Sequence, residues 1–423
     1  MHGESIDAAL ASVAGMKRLA ERVLSRFRRV TSGGAFIPEI DGLRFFAIMP
    51  VVLFHLHGNL LVRLAGGPWD AARTSVFGTV LSRGDLGVRL FFVLSGLVLG
   101  LPFARHARGI GPRVSLKAYY LRRLTRIEPP NVVVLTLCFA LLVGLGRHRI
   151  SSLFPHYLAS IFNVHNLVYG QASFVNFVTW SLEVEVQFYL VAPLLAWVYR
   201  NPNSSGRRLL LAALVAAGSI GDVFIPPTAW RLTLSFAGLS QYFLAGMLVA
   251  DLRAEGESDL ARGSIPSSPT ADSRYRMLTA PWLRDALGVA AAIAVVAVGK
   301  DSTRARLLLP MLLAGFVVCA LRGSALRALI RLPIITTIGG MCYSIYLIHM
   351  QIISPVTRLT GRVVVGPSYP VNFLVQACVT VPIVLGGSAA LYLLVERPFM
   401  LWRPFGPKVA PRRSAELAVP GPG

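Results

Sequence analysis

Apolar stretches of roughly 17 to 25 residues follow one another along the chain, each long enough to cross about 30 Å of hydrocarbon as a helix. They centre near Val51, Leu94, Leu137, Leu190, Val215, Leu244, Ala292, Leu313, Leu347 and Val384. Within lipid a segment of this length must satisfy its backbone hydrogen bonds internally, so the expected fold is all-α and polytopic, with about ten transmembrane helices. Composition agrees: 54% of the 423 residues are hydrophobic and 15% charged, and the mean hydropathy is +0.60, outside the range of a soluble globular chain. An even number of spans puts both termini on one side.

A net charge of +22 could point to nucleic acid, but the basic residues are distributed by connection rather than gathered on one element. Lys and Arg concentrate on the N-terminal side through Arg44, in the even-numbered connections and in the C-terminal tail. By the positive-inside rule both termini are expected to be cytoplasmic. The stretch from Lys300 to Arg306 runs against the bias. Residues 1–36 carry Met16, Leu19, Val23, Phe27 and Val30 as a helical stripe among Lys17, Arg18, Arg22, Arg26, Arg28 and Arg29. That pattern suits a basic amphipathic helix on an anionic leaflet, or else a basic tail without structure. No cleavable signal is expected there. Residues 37–400 form the membrane domain, interrupted by a polar cytoplasmic linker over 251–281. Residues 401–423 read as a disordered tail. Cys138, Cys319, Cys342 and Cys378 fall in separate spans, so neither a disulfide framework nor a metal site is expected. The sequence shows no internal repeat and no sign of broken helices.

Any chemistry therefore has to sit within the bundle. In the first span Arg44 and His55 stand eleven residues apart and project within about 20° of each other at 100° per residue. Intramembrane charge of this kind marks either an active site or an interfacial anchor beside a packing histidine. The fourth span opens Trp180-Ser181-Leu182-Glu183-Val184-Glu185-Val186-Gln187-Phe188-Tyr189. Ser181, Glu185 and Tyr189 share one face, and Glu183 and Gln187 a neighbouring one. Helical rise puts Glu185 and His55 at similar depth, so Glu185 is expected to orient His55 as a general base. A structural lock between helices is the alternative for both glutamates, Glu183 especially. At the third span Arg122, Arg123 and Arg126 precede Ile127-Glu128-Pro129-Pro130, with the prolines suited to a first helical turn. Arg123 and Arg126, with Arg44, suit the phosphates of a polyanionic donor; positive-inside anchoring explains Arg122 and is the alternative for the others. His349 could face an acceptor or fill the core. His57 reads as a pore or interface residue. His148, His156 and His165 lie in an outer connection long enough to act as a lid, where solvated side chains are the default. Arg89 requires a carboxylate or water partner.

Together these pieces resemble the acyltransferase 3 family, integral-membrane O-acyltransferases of bacterial polysaccharides, Nod factors and some macrolides. The resemblance rests on Ile40-Asp41-Gly42-Leu43-Arg44 followed by His55, Gly87 to Gly96, Arg123-Leu124-Thr125-Arg126-Ile127-Glu128-Pro129, Trp180 to Leu190, Tyr343 to His349, and Glu396-Arg397-Pro398, in order over nearly the whole chain. It departs at Arg89, where relatives often carry aspartate, and at Val186, where a second glutamate commonly follows. The resemblance implies transfer of an acyl group, most simply acetyl, from cytoplasmic acyl-CoA to a hydroxyl of a carbohydrate or glycosylated acceptor. It would take place in a bacterial cytoplasmic membrane, with no permanently bound cofactor. Arg44, Arg123 and Arg126 would hold the donor; His55, oriented by Glu185, would deprotonate the acceptor. Ser181, Tyr189, Tyr346 and His349 would bind substrate. Some relatives append an extracytoplasmic esterase-like domain that this sequence is not expected to carry, leaving the acceptor to the membrane domain or a partner. The rival readings are a transporter or flippase of a glycan-related solute, and a silent scaffold of glycan assembly.

Overall fold

A computed structural model describes residues 37–63, 72, 75–262, 280–299 and 302–402. The expected N-terminal amphipathic helix, most of the C-terminal tail and residues 263–279 of the expected linker lie outside the described residues. Among those described, every regular element is helical. Eight helices are long and apolar enough to cross a membrane, or nine if one bent pair counts as a single span. The chain is an all-α polytopic membrane protein. The helix expected around Val215 forms as α8, but it is not apolar enough to join that set, since Arg207 and Arg208 occupy its first turns.

The elements that matter here are α1 (Pro38–Arg63), α2 (Val76–Ser82), α3 (Leu86–Ala107), α4 (Leu116–Gly144), α5 (Ile150–Ile161), α6 (His165–Tyr169), α7 (Trp180–Leu195), α8 (Ser204–Phe224), α9 (Phe236–Ala261), α10 (Pro281–Val298), α11 (Thr303–Arg322), α12 (Ala325–Ile330), α13 (Pro333–Gly340), α14 (Cys342–Thr360) and α15 (Tyr369–Leu391). The closest pair is α3 with α9. A Cβ at Gly96 would fall 2.0 Å from the Phe243 carbonyl oxygen, and one at Gly246 2.0 Å from that of Val93. Only glycine lets the two backbones touch there, the small-residue contact by which membrane helices associate. Phe243 stacks on Phe92 and Phe188 beside this contact, tying α7 to the pair.

Three sequence expectations change. First, α4 starts at Leu116, capped by Ser115, so Pro129 and Pro130 sit in mid-helix rather than in a first turn. Lacking N–H groups, they release the carbonyls of Thr125 and Arg126 from their usual helical partners. Second, residues 251–261 are not linker but the end of α9. Asp251 is fully buried and takes Arg108 at 2.8 Å, Arg207 at 2.6 Å and Arg208 at 3.4 Å; Ala254 and Ser258 are buried with it. A polar composition here marks a paired, folded helix end. Third, the ninth span is broken. α13 and α14 meet at Met341 with a 72° bend, α13 packing on the start of α1 while α14 runs alongside α1 and α15.

The connection from α4 to α7 is also more ordered than a solvated loop. Glu128 accepts from Asn163 at 2.7 Å and Glu183 from the Asn166 N–H at 2.8 Å, which ties the segment containing α5 and α6 to the bundle.

Candidate active site

Between α1, α3, α4, α7 and α14 lies a pocket of the concave, largely apolar kind that takes small ligands. Most of its wall is apolar, from Ile48 and Val51 on α1 to Phe91, Leu94 and Leu99 on α3. Its cationic groups are Arg44, Arg123 and Arg126. The structure thus brings together the three arginines that the sequence singled out, because the start of α1 and the first half of α4 face each other across the same space. Arg44 is buried and held by Asp41 at 2.5 Å, one helical turn earlier. Arg123 stands over the Tyr189 ring at 5.8 Å. The Nε atoms of Arg123 and Arg126 are buried with no hydrogen-bond partner. A buried guanidinium with open donors is costly in a bundle unless an anion completes it. Arg122 is exposed.

Glu185 lines this cavity, but it does not meet His55. Its Oε1 accepts from the Tyr189 hydroxyl at 2.5 Å and from the Ser95 hydroxyl at 2.7 Å. The i, i+4 spacing that puts Glu185 and Tyr189 on one face lets them satisfy each other, and Ser95 on α3 completes the cluster. His55 sits instead beside Phe177, just ahead of α7 and well before Glu185 along the chain. The Tyr346 hydroxyl donates to the Val178 carbonyl at 2.5 Å and accepts from Ser181 Oγ at 3.1 Å and the Leu182 N–H at 3.2 Å. This bonding fastens α14 to the start of α7; Ser181, Tyr189 and Tyr346 are cavity residues, and the expected His55–Glu185 pair is not formed.

The partner of His55 is His349 instead, with ring centroids 5.1 Å apart, and Phe177 lies on another side at 5.5 Å. His55 is half-buried and follows the cavity residue Val51 by one turn on the same face of α1; His349 likewise follows Tyr346 on α14. The imidazole pair therefore stands one helical turn beyond the cavity, at the end away from Arg44. His349 is fully buried. Its Nδ1 lies 3.0 Å from the Ile345 carbonyl and 2.8 Å from that of Tyr346. Carbonyls only accept, so Nδ1 carries the proton and Nε2 a lone pair.

Other candidates resolve as structure. Glu183 is buried and holds the outer connection in place. His57 is buried, hydrogen-bonded to the Tyr369 hydroxyl and at 3.1 Å to Ser82, fastening α1 to α2 and α15. Arg89 finds Asp85 at 3.5 Å and the Tyr242 ring at 5.8 Å. His165 is fully buried rather than solvated and pairs with His156 at 2.9 Å, while His148 is exposed. Sequence reasoning missed Asp41, legible as an i, i+3 partner of Arg44, and Ser95, which no spacing rule ties to a residue on another helix.

A family model described as an acyltransferase domain matches residues 37–393. The O-acetyltransferase OatA of Staphylococcus aureus (strain NCTC 8325 / PS 47) is 27% identical over 196 residues, 43% of this chain and 29% of that protein. The peptidoglycan O-acetyltransferase OatA of Listeria monocytogenes serovar 1/2a (strain ATCC BAA-679 / EGD-e) is 27% identical over 206 residues, 45% of this chain and 29% of that protein. The chain spans less than a third of the length of these relatives. No solved structure matches it. With the matched region running from the first residue of the described bundle to within the last turns of its final helices, this chain belongs to the acyltransferase domain family.

Proposed function

We propose that the protein is a membrane O-acyltransferase that moves an acyl group, acetyl in the simplest case, from acyl-CoA to a hydroxyl of a carbohydrate or glycosylated acceptor. One observation carries this reading: guanidinium groups from two helices converge on an apolar cavity, with a histidine pair one helical turn beyond it. Arg44, Arg123 and Arg126 would bind the donor's phosphates, for which their planar forks of donors are suited. The apolar walls would hold the pantetheine arm and thioester. His55 would take the proton of the acceptor hydroxyl as its oxygen attacks the thioester carbon. The C–O bond forms, the C–S bond breaks, and the proton passes from His55 to the leaving thiolate. The relatives' names favour acetyl as the group and, in one of them, peptidoglycan as the acceptor.

The test is transfer of label from [14C]acetyl-CoA to glycan in membranes carrying the chain. Removing a positioned general base costs about 10² to 10⁴ in rate, so His55→Ala should lose that much while the protein still reaches the membrane. Retained turnover rejects the assignment of His55. Movement of a glycan across proteoliposomes without consumption of acetyl-CoA rejects the enzyme in favour of a carrier. The break at Met341 is the kind of discontinuity carriers use, but among the described residues it has no counterpart in another half of the chain.

A further inference from the structure

Replacing Glu185 as the neighbour of His55 leaves open what fixes that imidazole. His349 Nε2 is a buried lone pair with no hydrogen-bond partner, on a side chain that is 0% exposed. Its ring cannot flip to hide that atom, because Nδ1–H is committed to two carbonyls of its own helix. A buried unsatisfied acceptor on a pinned ring is destabilising, and the polar ring beside it is that of His55. At a centroid separation of 5.1 Å and an interplanar angle of 43°, a small turn of the His55 ring, or one intervening water, completes an N–H to Nε2 bond. The bond acts only on an imidazole that has a proton to donate, and it decides which nitrogen keeps it.

We propose that His349 is the positioning residue of the site: its Nε2 accepts one ring N–H of His55 and so holds the other His55 nitrogen as the free base facing the acceptor hydroxyl. This deepens the acyltransferase reading and rests on it. The bond persists when His55 becomes imidazolium, since the donated N–H is present in both states, and it stops the ring turning its proton toward the incoming hydroxyl. A neutral acceptor here does what a carboxylate does in hydrolase triads.

The full-length chain, labelled with 15N at histidine and reconstituted in phosphatidylethanolamine–phosphatidylglycerol vesicles, provides the test by solid-state NMR. His55 signals are identified by their loss in His55→Gln. The expected result is a single His55 tautomer with a through-space nitrogen cross-peak to His349. His349→Phe should give a mixture of His55 tautomers, and His349→Gln, whose Oε1 can accept at the place of Nε2, should restore one. An unchanged His55 pattern in His349→Phe overturns the proposal. So does absence of the cross-peak in the unmutated chain, a measurement that needs no variant to fold. In host membranes supplying their own acceptor, His349→Phe should lower kcat about 10- to 100-fold with KM for [14C]acetyl-CoA unchanged, within the span of general-base effects, and His349→Gln should recover part of it. If the unmutated chain shows the cross-peak but transfers no acetyl, the acyltransferase reading falls and the histidine pair stands.

Discussion

At the scale of single residues, the arginines of the cavity differ in how much of each is already spoken for. Arg44 is engaged by Asp41, whereas Arg123 and Arg126 keep buried Nε donors open. Hydrogen bonds to charged groups are worth about 1.5–3 kcal/mol, so Arg123→Ala should raise KM for acyl-CoA about 10- to 100-fold at about 1.4 kcal/mol per tenfold, with kcat little changed. Initial rates against acetyl-CoA concentration check this; a fall in kcat at unchanged KM would remove Arg123 from the donor site. These arginines were legible because charge inside an apolar helix must be explained, and their common face follows from helical spacing. The contacts of Glu185 were not. Helical rise put Glu185 level with His55, but the structure sets His55 beside Phe177, ahead of α7, and Glu185 further along that helix with Tyr189 and Ser95. Tyr346, bonded to Val178, Ser181 and Leu182, fastens α14 to the start of α7, a contact between helices that spacing within one helix does not reveal.

Among elements, the same distinction separates what periodicity fixes from what partners fix. The long spans followed from runs of apolar residues, and the α3–α9 contact from nothing visible in either segment alone, since Gly96 and Gly246 gain meaning only opposite each other. The end of α9 looked like linker because Asp251 and Glu257 are polar; paired with Arg108, Arg207 and Arg105 they are the seal of a helix end. The outer connection is the element whose behaviour should depend on pH. His156 Nδ1 and His165 Nε2 share a hydrogen bond at 2.9 Å, with His165 Nδ1 at 3.1 Å from the Gln171 carbonyl and both rings against Tyr169. Burial holds both imidazoles below their ordinary range, and His148 adds to this at His156 and His156 at His165. The folded connection thus binds fewer protons than the unfolded one. Its stability is complete above the ordinary imidazole value of about 6.5 and is lost as pH falls from there toward the folded values. Hydrogen exchange, corrected for intrinsic rates, should show amides of 150–169 losing protection between pH 7 and pH 5 while those of α3 keep theirs. Protection independent of pH over that window would refute the coupling.

For the whole molecule, the order Arg44, Ile48, Val51, His55 along one face of α1 gives the bundle an arginine end and a histidine end. Arg44 lies near the start of α1, and Arg123 and Arg126 lie in the first half of α4, so the arginine end is the one at which α1 begins. If that end is cytoplasmic, as the charge bias expects, the cavity opens to coenzyme from within, and Cys342 on its wall reports the direction. A membrane-impermeant maleimide should label Cys342 in everted vesicles and not in right-side-out ones. With Cys138, Cys319 and Cys378 replaced by Ala, peptide mass spectrometry reads the one remaining thiol. Free CoA at about ten times its Kd leaves about a tenth of sites empty by mass action, so it should slow labelling about tenfold. In Arg123→Ala the same CoA concentration should protect far less. Labelling from the opposite face, or labelling indifferent to CoA, would place the donor elsewhere and detach the arginines from the coenzyme. The cavity would then have to be read from the end nearer His55 and His349, as a path for a solute that enters from outside.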